Sequence, residues 1–192
     1  AATLQAVEAS MSLYREDSEL SRLNRTGWLH APSAHLLNVM REARLVSQRS
    51  AGAFDVTVQP LWSAYERARQ AGRLPTDAER IDAQARTGWQ QVQLDSDRIR
   101  FLRSGMAVTL NGIAQGFAAD RVRQVLEAHG IRHALVDTGE FGVLGRKPDG
   151  NAWRVGVQHP RIPEAYAALA DLDQRFLATS GDYQTAFAGD FS

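Results

Sequence analysis

The amino-acid sequence predicts an α+β protein, a largely antiparallel sheet with flanking helices. Three observations predict it. Helical spacing with capping residues dominates the chain up to Gly88, period-two runs bounded by turn residues dominate from Val92 onward, and one helix interrupts the strand-rich half. With 192 residues the chain has the size of a single domain, or of a fraction of a larger one.

The elements follow in order. Ala1-Ala2-Thr3 opens directly inside a helix-like pattern, and Ser18 before Glu19-Leu20-Ser21 starts a short helix. From Ser33 to Ser50 the apolar positions Leu36, Leu37, Met40, Ala43 and Val46 or Ser47 recur at helical spacing, with Ser33 as N-cap after Pro32. A helix over Leu61 to Ala71 is set off by Pro60 and ended by Gly72. Thr76-Asp77-Ala78-Glu79 has the form of a capping box for a helix running to about Arg86, closed by Gly88. The period then changes. Val92 with Leu94, Ile99 with Phe101, and Met106 to Leu110 read as strands joined by tight turns, the first two as a hairpin. A helix through Phe117 to Leu126 closes at Gly130. Ile131–Asp137, Phe141–Leu144, Trp153–Gln158 and Tyr166–Leu172 read as strands, separated by Thr138-Gly139, Lys147-Pro148-Asp149-Gly150 and His159-Pro160.

Composition excludes several classes of function. Lys plus Arg number 22 and Asp plus Glu 22, so the chain lacks the basic excess of a sequence-independent nucleic-acid binder. No apolar run approaches the ~18 residues of a membrane-spanning helix. The absence of Cys removes disulfides, thiolate metal sites and cysteine nucleophiles, and leaves the redox compartment open. His30, His35, His129, His133 and His159 show no ligand spacing and read as surface or helix-end residues, so any metal must be held by oxygen. The chain begins without Met or a leader, so a targeting segment is expected to have been removed or never present. The stretch Gly181 to Ser192 ends between elements, as in a fragment.

The segments with chemical potential each have a plain alternative. Gly112 to Gly116 lies between a strand and a helix, where backbone N–H groups and the positive helix end suit an anion such as phosphate; the alternative is a tight packing turn. It is neither a Walker loop nor the dinucleotide fingerprint. Gly139, Gly142 and Gly145 fall in a strand pattern and read as bulges or close backbone approaches. Asp55, in Gly52-Ala53-Phe54-Asp55-Val56-Thr57, reads first as a cap of the next helix or turn. Tyr14 offers a ring for stacking, though an aromatic residue in a helical segment is usually core. Ser180 lacks the Gly-x-Ser-x-Gly elbow, and Asn24-Arg25-Thr26 matches a glycosylation sequon too common to carry weight.

In order and together, these segments resemble the ApbE family of FAD:protein FMN transferases. The resemblance rests on Met11-Ser12-Leu13-Tyr14 with Ser18-Glu19-Leu20-Ser21-Arg22-Leu23-Asn24, on Gly52 to Trp62, and on Asn111 to Asp120. It continues through Gly130-Ile131 to Ala134-Leu135-Val136-Asp137-Thr138-Gly139 and Ala178 to Tyr183. The Gly-Ile-Ala-Gln-Gly and Asp-Thr-Gly-Glu variants look like the NosX branch, accessory to nitrous oxide reductase maturation. The resemblance implies an ApbE-like, T-fold-like single domain, truncated at both ends. The opening Met-Gly-Thr strand, a His-Ile-Leu/Phe-Asp-Pro segment and an Asp-Ala-x-x-Thr stretch with side chains that bind Mg²⁺ would lie outside this chain.

The implied activity splits FAD and places FMN on a Thr or Ser hydroxyl of a partner protein, with Mg²⁺ assisting, mostly outside the cytoplasm; the location implied here is the periplasm. The implied acceptor is a flavin-accepting protein, such as a NosR-like membrane flavoprotein. By the same resemblance Tyr14 lies against the flavin ring and Ala53, Phe54 and Asp55 contact FAD. Thr109 and Gln115 lie at the nucleotide, and a backbone carbonyl of Gly112 or Ala114 binds Mg²⁺. Carbonyl oxygen suits this hard cation. Many relatives carry Lys or Glu at the position of Gln115 and Asp-Leu-Gly-Gly at Thr109-Leu110-Asn111-Gly112, so local charge is reduced here. The alternatives are a non-catalytic FAD-binding maturation protein and a binding domain that holds no nucleotide.

Overall fold

The structure, a computed structural model, describes residues 2–181. Asp182 and Tyr183 of the last motif, and the stretch to Ser192, lie outside the described residues. The chain divides into two compact units, one of the residues up to Ala114 and one from Gln115 onward.

The first unit is helix-rich. It contains α1 (Ala2–Met11), α2 (Glu19–Thr26), β1 (Trp28–His30), α3 (Ala34–Arg49), α4 (Gln59–Gln70), α5 (Asp77–Ala85), β2 (Val92–Leu94) and β3 (Arg98–Phe101). Short 3-10 turns cover Val56–Val58 and Trp89–Gln91. The strands form an antiparallel sheet in the order β1-β3-β2, so β2 and β3 make the expected hairpin. The helices start where side chains replace missing backbone partners. Ser18 Oγ accepts the Ser21 N–H at 3.0 Å, and Ser33 Oγ accepts the Leu36 N–H at 3.2 Å. Thr76 and Glu79 complete the capping box in both directions. Helix α4 begins at Gln59, earlier than expected, with Pro60 in its first turn, where a missing N–H loses no helical bond. Leu20 and Leu23 of α2, Leu36 and Met40 of α3, and Ile99 of β3 are fully buried.

No strand forms over Met106–Leu110, contrary to the period-two reading. The alternation itself is real, since Met106, Val108 and Leu110 are buried and Ala107 and Thr109 less so. The backbone finds other partners. Asn24 Oδ1 accepts the Val108 N–H at 2.7 Å and Asn24 Nδ2 donates to the Val108 carbonyl at 2.8 Å, while the Thr109 N–H donates to the Val56 carbonyl at 2.8 Å. A side-chain amide thus replaces the neighbouring strand that a ladder would require.

The second unit is strand-rich. Helix α6 (Ala114–Ala128) leads into β4 (Ala134–Asp137), β5 (Phe141–Leu144), β6 (Trp153–Gln158), β7 (Tyr166–Leu172) and β8 (Phe176–Leu177). All pairing is antiparallel, in a sheet of order β4-β5-β8 and a two-stranded β6-β7 ribbon. Val143, Val155 and Leu172 form its core, with Phe141, Trp153 and Leu177 packed against them. The glycines at 139, 142 and 145 mark close approaches, as expected. A side chain at Gly142 would collide with the Phe176 ring, and one at Gly145 with the Arg132 carbonyl.

Candidate functional site

Most of the candidate residues fall in the first unit. Chain reversal after α3 uses Ala51 and Gly52, both at positive φ (52° and 86°), and delivers Ala53, Phe54 and Asp55. The Phe54 N–H is held by Ser50 Oγ at 3.1 Å. Asp55 is the cap that its position suggests. One carboxylate oxygen accepts the Thr57 N–H at 2.8 Å and the Thr57 hydroxyl at 2.7 Å, and the other accepts the Trp89 N–H at 3.1 Å. The buried Thr57 hydroxyl in turn accepts the Gly88 N–H at 2.6 Å. Asp55 therefore fastens the segment before β2 to the loop that carries Ala53 and Phe54.

The second candidate segment meets the first. Thr109 is bonded through its N–H to Val56, next to Asp55, and its hydroxyl accepts the Asn111 N–H at 3.3 Å. A side chain at Gly112 would touch the Phe54 ring at 3.5 Å, an ordinary contact, so the aromatic edge faces the glycine turn. Residues more than fifty positions apart thus share one surface. The turn folds by donating the Ile113 and Ala114 N–H groups to the Leu110 carbonyl at 2.9 and 2.7 Å.

Helix α6 starts at Ala114, inside the stretch read as a loop, so Gln115 and Gly116 occupy its first turn. The Gln115 and Gly116 N–H groups have no hydrogen-bond acceptor among the described residues, the condition in which a helix start receives an anion. Space around Gly116 is open, with no atom within 4 Å of an added side chain. Gln115 belongs to the second unit, where its exposed amide lies against Gly139, 2.6 Å from the position a side chain there would take.

Tyr14 is not a core residue. It lies in the loop between α1 and α2 with 88% of its surface exposed, because α1 ends at Met11 and the polar Ser12 to Asp17 segment offers no apolar face. Its ring is available for stacking. No hydrogen bond or close contact among the described residues joins it to Phe54 or Gly112. Sequence reasoning missed Trp89, whose N–H completes the Asp55 cap and whose Nε1 lies 3.7 Å from an added side chain at Gly52. Its only signal is a large aromatic residue after Gly88.

The backbone carbonyls of Gly112, in the turn, and Ala114, the first residue of α6, are the oxygens that the expected Mg²⁺ site would draw on. Among the described residues no three His, Asp or Glu side chains gather as a metal-binding group. His129, at the end of α6, bonds the Val125 carbonyl through Nδ1 at 2.8 Å, and His133 bonds the Arg146 carbonyl at 2.8 Å. Both are exposed, as the surface or helix-end reading expected, and each is hydrogen-bonded to a backbone carbonyl.

The fold belongs to the mixed helix and antiparallel-sheet class of solved flavin transferases. The chain superposes on the flavinyl transferase ApbE of Pseudomonas stutzeri, in its apo form, with a TM-score of 0.82 and 33% identity over 96% of this chain and 58% of that one. It superposes on the ApbE protein of Thermotoga maritima with a TM-score of 0.84 and 26% identity, over 95% of this chain and 62% of that one. The chain belongs to the ApbE family, whose sequence model matches residues 1–191. The FAD:protein FMN transferase of Haemophilus influenzae is 32% identical over 97% of this chain and 57% of its own length. The chain thus spans a little over half the length of the relatives it matches.

Proposed function

We propose that the protein is an FAD:protein FMN transferase. In this reaction a Thr or Ser hydroxyl oxygen of an acceptor protein attacks the phosphorus on the flavin side of the FAD diphosphate. The P–O bond to the bridging oxygen breaks, AMP leaves with that oxygen, and the hydroxyl proton passes to solvent or a base. The product is a phosphoester between FMN and the acceptor. The observation that carries the reading is the meeting of the Ala53–Asp55 loop with Thr109 and Gly112, two blocks of the family pattern brought together in one unit.

The chain's own residues divide the work. Tyr14 supplies an exposed ring for the isoalloxazine, and Ala53 and Phe54 supply an apolar loop held rigid by Asp55. Thr109 and the N–H groups at the head of α6, including that of Gln115, meet the nucleotide phosphates. The carbonyl of Gly112 or Ala114 contributes to holding Mg²⁺, which when bound offsets charge developing on phosphoryl oxygens. The reading extends to a periplasmic enzyme of nitrous oxide reductase maturation, on the motif variants that resemble NosX, with a NosR-like membrane flavoprotein as acceptor. Incubation with FAD, Mg²⁺ and that acceptor is expected to leave a fluorescent acceptor band that survives denaturing electrophoresis. An unlabelled acceptor under all these conditions contradicts the reading.

A second reading is favoured by one residue. Gln115 is neutral and rests on Gly139 where many relatives carry a charge, which suits a protein that binds FAD without turning it over. That reading predicts a rise in melting temperature with FAD and no AMP release.

A further inference from the structure

A cleft of about 490 Å³ lies in the first unit, lined by none of the candidate site residues Tyr14, Ala53, Phe54, Asp55, Thr109 and Gly112. One wall is the end of α2 with the start of β1, and the other is the end of β3 with the turn after it. Its lining includes Arg25, Arg100 and Arg103 and contains no carboxylate, in a chain whose formal charges cancel. None of the three arginines makes an ion pair among the described residues. Arg25 reaches the Glu16 carbonyl only at 3.5 Å and Arg103 the Ala85 carbonyl at 3.3 Å, both long for a hydrogen bond, and the Arg100 side chain makes no hydrogen bond among the described residues. Arg98, on the same strand, is neutralised by Asp95 at 3.6 Å. The contrast lies in the placement of carboxylates.

The walls follow from the strand pattern. Ile99 and Phe101 point into the core, so Arg100 points outward, opposite Trp28 in the antiparallel register. Trp28 is 55% exposed, and Leu102 after the strand is 53% exposed. The cleft therefore combines guanidinium groups that have no ion pair among the described residues with two uncovered apolar side chains, and Arg and Trp are residue types that anchor protein interfaces. A single phosphate needs donors converging on one point. Here the arginines come from a helix end, a strand and a turn, a spread that suits several carboxylates along a chain. The cleft wall is also fixed to the candidate site, because Asn24, which lines it, clamps Val108 beside Thr109.

We propose that this cleft docks an acidic segment, carrying apolar side chains among its carboxylates, of the protein that accepts the flavin; the identity of that partner rests on the transferase reading above. Charge pairing at such a surface governs encounter and orientation, and is weakened by salt.

The test compares the intact protein with R25E/R100E/R103E, with R100E alone as the variant to use if the triple change does not fold. Binding of a fluorescein-labelled oligoglutamate peptide containing one Trp is followed by anisotropy, and flavin transfer is followed as a function of acceptor concentration. The reversal is expected to weaken peptide binding by roughly tenfold or more at low salt. It is expected to raise KM for the acceptor comparably while kcat stays within about twofold. Unchanged peptide binding in the variant overturns the proposal. So does displacement of the peptide by inorganic phosphate, AMP or a DNA oligomer at ionic strengths where sodium chloride does not displace it. If the wild-type protein labels no acceptor, the transferase reading fails by itself, and peptide binding that the reversal abolishes still upholds an acidic-segment cleft.

Discussion

Asn24 meets both backbone groups of Val108, and nothing else among the described residues bonds to them. Removing the amide leaves a buried donor and acceptor without partners. Asn24→Leu is expected to cost roughly 1–3 kcal/mol of stability, read from urea denaturation midpoints. Asn24→Asp, which keeps the acceptor, should lie between Asn24→Leu and wild type; equal stability of all three contradicts the clamp. This role was hidden in the sequence, where Asn24 stood out as part of a sequon and of a family motif, neither of which points to Val108. Tyr14 was half legible, since its ring suggested stacking while its flanks suggested a core helix. With 88% of its surface in solvent, Tyr14→Ala should leave stability nearly unchanged. The same change should weaken FAD binding by about 2- to 10-fold, the worth of one aromatic stack, while Tyr14→Phe binds normally. Equal FAD affinity in Tyr14→Ala removes the ring from the proposed site.

Elements with chemical punctuation were the legible ones. Ser18, Ser33 and Thr76 announce helix starts because their oxygens satisfy orphan N–H groups, and all three do so. Strands β1 and β8 carry no such signal. At three and two residues they are too short for a periodic pattern and exist through their pairing with β3 and β5. Across the start of α5, the Arg73 guanidinium from the preceding turn holds the Glu79 carboxyl down to about 2, assisted by the Thr76 N–H. Because the folded value lies below the unfolded one, this contribution is complete above the usual carboxylate range and is lost as pH falls through about 2. An NMR titration of Glu79 should show that midpoint, and a midpoint near 4.5 contradicts the box in solution. In the second unit, Gly142 is what lets Phe176 lie across β5. Gly142→Ala is expected to destabilise by roughly 1–3 kcal/mol, and Phe176→Leu in the same chain to restore part of the loss. Additive effects of the two changes mean that the ring does not sit there.

For the whole molecule, the fold class and the order of the long elements were readable because apolar periodicity and turn residues agree. The meeting of the Phe54 loop with Gly112 was not, since it depends on the Val56 to Thr109 backbone bond between distant segments. Family membership supports the proposed reaction. The balanced charge of the chain fits the proposed enzyme, which would meet its anionic cofactor through backbone N–H groups and a divalent ion, while arginines without ion pairs among the described residues line a cleft of the first unit. The central claim is FMN transfer, and the most direct measurement counts both products of one reaction. In a mixture of the intact protein, FAD, Mg²⁺ and the acceptor, mass spectrometry should find FMN esterified to a Thr or Ser and one AMP released per modified acceptor. FAD bound at the protein with neither product formed would contradict the claim.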